Sequence, residues 1–483
     1  MIGTYHDPDT KALFIELKNL VLQSSWKGVT LPSNTFKSVI CSGATAEHQC
    51  GLTTEEKYYE RLASDFGYSA DEIKTSFTAI RDSMTVDESF MDSLVALKSK
   101  FGKELKIYAM ANLSLEDFTA AKALDTDWSI FNKIFVSSDI GMRKPELRFF
   151  KSILSRLNME PKQAIVIDDD TDNLLGAMSL GMRGILYPGV SVNQAVTNML
   201  DRDPIARGEI FLQENAKQLD SITHTGIKIK ENFAQLLILE STGQGALVDI
   251  ESHEKTWNYF VGPPIISPTY SPDDFDTTSL GCTVFDRPMQ VMNEVMDIAL
   301  AYRNPDGIVQ TFITDLKNRV DPVVCCNVLS LFCKYGRHTE LSESLEWIRH
   351  VLQTRAYING TSYYPMPESF LYFFSRFLRY LEPHDKSLHC TLKHLLSERL
   401  RERIGIPVDA LSLAIRVIAC HEVGIVDERE SDELIKSQHE DGGWELGTLY
   451  RFASKQLWVG NRGVTTSFAI EAIRRSRSAV GLE

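Results

Sequence analysis

Asp274-Phe275-Asp276-Thr277-Thr278-Ser279 sets two carboxylates two positions apart and follows them with three hydroxyls. Few reactions need that cluster, and one is protonation of an unactivated alkene. An isolated double bond is a very weak base, so it needs a carboxylic acid kept protonated and aimed into a dry pocket. One carboxyl would supply the proton, while the other, with the hydroxyls of Thr277 and Thr278, would hold it in place. The competing reading is a polar turn after Pro272, in which Asp and Thr cap a helix.

The elements that must position this stretch differ between the two halves of the chain. From about Gly226 onward, apolar helical patterns succeed one another over 291–302, 323–335, 341–353, 369–381, 387–404, 409–420 and 465–475. With only weak strand signals, this predicts an all-α domain of paired helices around a core or cavity. The first half alternates instead. Phe36–Cys41, Leu105–Met110, Lys133–Ser137 and Ala164–Asp168 read as short buried strands, with a further one near Gly184–Tyr187. Helical stretches separate them, which predicts a parallel sheet covered on both faces, with any site at the strands' carboxyl ends. The fold class is therefore multidomain, α/β followed by all-α. The seam lies around 220–229, giving a first domain over 1–220 and a second over 221–483.

Two strand ends in the first half carry recognisable motifs. The run from Ser137 to Lys144-Pro145-Glu146 looks like the third motif of the haloacid dehalogenase-like superfamily, where a lysine steadies nucleophile and phosphate. Asp168-Asp169-Asp170 looks like the fourth, where acidic residues hold Mg²⁺. Residues 36–190 resemble that superfamily, with a helical insert at about 53–103 where it carries a cap. The resemblance implies a first motif with an aspartate nucleophile and a second aspartate two residues on as general acid/base. Aligned on the strand Phe36–Cys41, those positions are Ser42 and Ala44, and neither is a carboxylate. Ala111 stands before Asn112 where a hydroxyl is expected. Asp7 or Asp9 are the alternatives for a carboxylate. The expectation is a vestigial phosphatase site of Ser42, Ala44, Asn112 and Lys144, with Asp168 and Asp169 left as weak metal ligands.

In the second half, Gln438 to Asp441-Gly442-Gly443-Trp444 resembles the motif by which terpene cyclases and squalene–hopene cyclase relatives brace an α-barrel. Near the end, Gly460 to Ser467 leads into a last apolar helix. Together with the paired aspartates, these residues resemble fusions of a dehalogenase-like domain with a class II terpene cyclase domain that make drimane-type sesquiterpenes in fungi and some bacteria. The resemblance implies a terpene cyclase α-barrel of the β-domain type. It implies farnesyl diphosphate as substrate and a bicyclic drimane-type diphosphate, drimenyl or albicanyl, as product. Asp276 takes the place of the family's acid, with Asp274 orienting it. An ionised Asp274 beside a buried Asp276 would raise the pKa of the acid. Thr277 stands where squalene cyclases and copalyl-type synthases have a third aspartate.

A growing cation needs aromatic faces and exclusion of water. Trp257, Tyr259, Phe260, Tyr363 and Tyr364 are candidates, while Phe370, Phe373 and Phe374 recur at the spacing of a core helix. Trp458 sits beside Arg451, Lys455 and Arg462, which suit a diphosphate or, equally, a solvated face. Asn327 with a bound water, or His421, is expected as the final base. Mg²⁺ is expected to accompany the diphosphate, and a separate phosphatase is expected downstream. Two alternatives stand beside this reading. One is a bifunctional cyclase-phosphatase releasing the alcohol, and the other a non-catalytic scaffold binding prenyl diphosphates.

The bulk properties fit such a chain. A net charge of −14 over 483 residues argues against nucleic acid or an anionic membrane as partner. No apolar run is long enough to span a bilayer, and no signal segment is evident. The eight scattered cysteines then suit buried thiols of a cytoplasmic protein.

Overall fold

The computed structural model describes residues 10–188, 191–200, 203–266, 271–315, 319–452 and 456–480. The chain forms two compact units, one up to residue 202 and one from residue 203. The helix Pro204–Glu214 goes with the second unit, so the division falls before the expected 220/221.

The first unit is built on five parallel strands. Their order is Lys133–Val136, Lys106–Ala111, Ala12–Glu16, Ala164–Asp168, Arg183–Leu186. The central strand Ala12–Glu16 is buried along its whole length, as a strand covered on both faces must be. It pairs with Lys106–Ala111 on one side and Ala164–Asp168 on the other, Ile15 lying opposite Ala109 and Ile167. This corrects the sequence reading. Phe36–Cys41 is not the first strand; it falls in the helix Ser33–Ile40, which starts directly after Pro32. Ser42 is the N-cap of the next helix, Gly43–Gln49, and Ala44 is buried within it. Both belong to a helical insert, not to a strand end. The insert also begins earlier than expected. Leu22–Gln23 and Thr85–Val86 pair antiparallel at its neck, with helices Ser33–Ile40, Gly43–Gln49, Glu55–Phe66 and Ala70–Asp82 between them.

Six helices of the second unit form a closed inner ring. In order they are Asn232–Thr242, Phe275–Val284, Pro322–Lys334, Pro367–Leu381, Ala410–Glu422 and Arg462–Val480, and the last packs back on the first. The middle four are buried at most of their positions, as befits helices with neighbours on several sides. Met289–Ala301, Ser342–Thr354, Lys386–Arg401, Glu428–Lys436 and Pro204–Glu214 pack against this ring. One element escaped the sequence reading: a four-stranded antiparallel sheet of Thr448–Phe452, Leu457–Gly460, Ser221–Thr223 and Lys228–Ile229.

The Gln438–Trp444 stretch ties three helices of this unit together. Gln438, wholly buried, donates to the carbonyls of Pro204 and Gly442, both at 2.8 Å. Trp444 donates its indole N–H to the Leu434 carbonyl at 2.8 Å and its backbone N–H to Thr466 at 3.1 Å.

Candidate active site

The paired aspartates open the inner helix Phe275–Val284. Asp274 is its N-cap, and the carboxylate accepts the Thr277 N–H at 2.6 Å. The capping reading is realised, and the cap is buried, as an acid in a dry site would have to be. Asp274 keeps 5% of its surface and Asp276 keeps 9%. Thr278 accepts the backbone N–H of Trp257 at 2.8 Å, and Thr277 also hydrogen-bonds the Asp274 carboxyl.

Three side chains from later helices converge on this start. Asn327, on Pro322–Lys334, donates its amide to Asp276 Oδ1 at 2.6 Å. Tyr364, just before Pro367–Leu381, donates its hydroxyl to Asp276 Oδ2. Arg376 is buried within Pro367–Leu381 and donates to the Asn327 oxygen at 3.2 Å and to Thr283 at 2.5 Å. It also chelates Glu240 of the helix Asn232–Thr242, at 2.7 to 2.9 Å. Asp321 caps Pro322–Lys334 through Val323 N–H at 2.9 Å and hydrogen-bonds Thr361 and Tyr363, fixing the loop that carries Tyr364.

Burial drives the electrostatics of the pair. Desolvation first, then repulsion from Asp276, lifts the Asp274 carboxyl up to about 8. Desolvation also lifts Asp276, to about 6, while the donors Tyr364 and Asn327 pull the other way. Both carboxyls are thus raised out of the ordinary carboxylate range, chiefly by burial. Two coupled carboxyls retain about one proton between them near neutral pH.

An aromatic run leads away from the acid. The Tyr364 ring lies 6.2 Å from Phe233 and 5.7 Å from Phe373, and Phe233 lies 6.5 Å from Tyr450. Tyr450 packs edge-on to Tyr259 and Phe452, and Phe260 stacks on Phe452. Tyr364, Tyr259, Phe260 and Phe373 thus belong to one wall. Phe370 and Phe374 pack on each other, with Tyr357 and Phe377 beside them, as core.

Trp257 is elsewhere. It stacks on Phe285 at 5.8 Å and covers Gly281, where a Cβ would come within 2.6 Å of the indole. Thr278 and Gly281 lie roughly 200° and 140° round the helix from Asp276. Trp257 therefore backs the acid helix and does not share the acid's face.

The basic residues expected at a diphosphate are mostly committed. Arg462 makes a two-pronged pair with Asp441 at 2.9 Å and donates to the Trp444 carbonyl at 2.7 Å, so it belongs to the brace. Arg451 donates to the carbonyls of Ser362 and Thr361 at 3.0 Å, and its guanidinium lies 5.9 Å from the Trp458 ring. Lys455 lies outside the described residues, as do Asp7 and Asp9. His421 ends the helix Ala410–Glu422 beside Glu422 and Arg475 and is not part of this cluster. Asn327 has both ends of its amide engaged, which removes it as the final base.

In the first unit, the strand end that matters is Glu16, which sequence reasoning missed. Lys144 is buried between Glu16 and Asp168, 2.6 Å from the latter. Asn112 holds the Lys144 backbone at both its N–H and its carbonyl, each at 2.9 Å. Two residues past Glu16 stands Lys18, exposed, where the dehalogenase-like pattern calls for a second carboxylate. The signal was present: four apolar residues, Ala12 to Ile15, followed directly by a carboxylate.

Mg²⁺ is not matched by these side chains. Asp168 accepts from Lys144, Asn173 and the Asp170 N–H, Asp169 accepts from Asn19, and Glu16 accepts from Lys18 N–H. Among the described residues, no three acidic, histidine or cysteine side chains converge as a metal site. The carboxylate oxygens of Glu16 and Asp168 are already turned to N–H donors. No described helix is long and apolar enough to cross a membrane.

Comparison with known proteins agrees with this architecture. Residues 205–335 match the family model of the sesquiterpene cyclase AstC-like C-terminal domain, and residues 116–187 match that of haloacid dehalogenase-like hydrolases. The drimenol cyclase DrtB of Aspergillus calidoustus is 39% identical over 468 residues, 96% of this chain and 88% of that protein. The sesquiterpene phosphatase AstK of Aspergillus oryzae is 28% identical over 148 residues, 31% of this chain and 74% of that protein. A haloacid dehalogenase family enzyme of Bacteroides thetaiotaomicron, solved as a magnesium complex, aligns at 19% identity and a TM-score of 0.31. It covers 37% of this chain and 93% of its own.

Proposed function

The chain belongs to the family of drimane-type sesquiterpene cyclases in which a haloacid dehalogenase-like domain is joined to a terpene cyclase domain, and we propose that it cyclises farnesyl diphosphate by protonation. The observation that carries this reading is the buried Asp276 carboxyl, gripped by Asn327 and Tyr364 at the head of an aromatic wall. Ionisation-initiated chemistry would use carboxylates to hold metal; here the carboxyls are arranged to keep and aim a proton.

Asp276 gives its proton to the terminal alkene, and the alkene's π electrons form the new C–H bond. The tertiary cation left behind is attacked by the second double bond and then by the third, closing two rings. Burial and mutual repulsion keep a proton on the pair, and Asp276, at the head of the aromatic wall, is the member placed to give it to the alkene. The faces of Tyr364, Phe233 and Phe373 stabilise the migrating positive charge. The diphosphate takes no part in this trigger and stays on the bicyclic product, of drimenyl or albicanyl type.

In this reading the first domain does not hydrolyse the product. Glu16 is one methylene longer than the aspartate nucleophile of the pattern and is paired with Lys144, and Lys18 replaces the general acid. A second reading, cyclase and phosphatase in one chain, is favoured by the carboxylate of Glu16 beside Lys144 and Asp168, and by the relative named for an alcohol. Incubation with farnesyl diphosphate, with and without added phosphatase, separates them. Bicyclic alcohol is expected only when phosphatase is added; alcohol formed without it supports the second reading. Full activity in Asp276→Asn would overturn protonation by this residue.

A further inference from the structure

A cyclisation begun by one proton ends by losing another, from a carbon at the far side of the new rings. The acid cannot easily collect it, since the bicycle lies between. The group that does so must be a second acceptor, placed across the aromatic wall from Asp276 and free of a cation that would hold it ionised. Asn327 and His421 fail these conditions.

We propose that Glu231, acting through the hydroxyl of Tyr450, takes the proton that ends the cyclisation. The inference rests on the protonation reading above. Glu231 stands at the head of the helix Asn232–Thr242, which neighbours the acid helix in the inner ring. It is buried, with 2% of its surface left. Its partners are Ser221, which donates at 2.6 Å, the Ala234 N–H at 2.9 Å, and the Tyr450 hydroxyl. The Tyr450 hydroxyl also meets that of the half-buried Tyr259. The Tyr450 ring is two aromatic steps from the acid, 6.5 Å to Phe233 and a further 6.2 Å to Tyr364, whose hydroxyl rests on Asp276. Two buried carboxyls thus bracket one aromatic run. A helix cap alone needs no buried glutamate, because a shorter Ser, Asp or Asn caps as well. Desolvation lifts this carboxyl to about 7, where it is able to take and release a proton at neutral pH.

The step balances without a co-reactant. The C–H bond next to the cationic carbon breaks, and its electron pair becomes the new double bond. The proton passes to the Tyr450 oxygen as the Tyr450 proton moves to the Glu231 carboxylate. Glu231 ends protonated and Asp276 ionised, and exchange with water restores both.

The test compares Glu231→Gln, Tyr450→Phe and Asp276→Asn with the unaltered protein, using farnesyl diphosphate followed by phosphatase, with products separated by gas chromatography. Gln keeps one acceptor, for the Ala234 N–H, turns its NH₂ to the Ser221 oxygen, and loses the basicity. Glu231→Gln is expected to lower kcat about a hundredfold. It should shift the remaining product towards water-captured bicycles and alkene isomers, in a protein that still folds. Tyr450→Phe is expected to move both readouts the same way, and carries the test alone if the Gln variant does not fold. Wild-type rate and product ratio in the folded variants would overturn the role of Glu231. Failure of the protonation reading shows separately, as undiminished turnover in Asp276→Asn.

Discussion

Arg376 donates to the side-chain oxygen of Asn327 at 3.2 Å, and that contact decides which end of the amide meets the acid. A guanidinium has no acceptor, so the amide oxygen must face it and the NH₂ must face Asp276. Asp276 Oδ1 is consequently always an acceptor. Its proton has to sit on Oδ2, on the side of Tyr364.

The pH profile should report this arrangement. Asp276 must be protonated to act, and its carboxyl is raised to about 6, so kcat/KM should fall as pH rises through about 6. The groups that set this value are Asn327, Tyr364, Arg376 and Asp321, with Asp274 coupled to it. Asn327 donates to the acid and so favours its ionised form. Asn327→Ala should therefore lower the rate roughly tenfold or more yet move the alkaline limb to higher pH. A limb that stays put or moves down would show that Asn327 does not tune Asp276.

Asp274 makes a second prediction, on stability. Its folded pKa of about 8 lies well above the ordinary value of 3.8, so the folded state binds the extra proton. Stability is then greatest below the unfolded value and declines as pH rises from about 4 to about 8. Asp274→Asn removes the titration and keeps an acceptor for Thr277. It should raise the melting temperature at pH 8 by more than at pH 5, while lowering turnover. An equal shift at both pH values would count against a proton held on Asp274.

Arg462 is expected to be structural. Its pair with Asp441 is partly exposed, so Arg462→Gln should cost about 1 kcal/mol of stability. The KM for farnesyl diphosphate should be unchanged. A large rise in KM without loss of stability would return Arg462 to the diphosphate.

The first domain is tested by phosphate release. Neither the intact chain nor Glu16→Ala is expected to liberate inorganic phosphate from the cyclised diphosphate in a colorimetric assay. Release by the intact chain that disappears in Glu16→Ala would make Glu16 a working nucleophile.

Much of this site was legible because its signals are local. Asp274 and Asp276 stand in one run with their hydroxyls, and the long helices of the second unit repeat at a clear period. The central strand was misplaced because short apolar runs suit helix or strand equally. Phe36–Ile40 became a helix behind Pro32, while Ala12–Glu16, too short to show a period, became the strand. The strands around Tyr450 are likewise two to five residues long. Asn327, Arg376 and Glu240 are separated by tens of residues, so no spacing reveals them. A lone arginine inside the apolar run Phe370–Leu378 was the one available hint.

The ring of six helices has a consequence for how the chain tolerates being cut. Inner and outer helices follow one another around a closed circuit, and Pro204–Glu214 at the start of the unit packs on Arg462–Val480 at its end. Its two ends therefore meet on one side of the barrel. A version with these ends joined and a new opening in a loop between an outer helix and the inner helix that follows it should retain the same circuit. Asp276, Asn327, Tyr364 and Arg376 would still be neighbours, because the circle, and not the order of reading, brings them together.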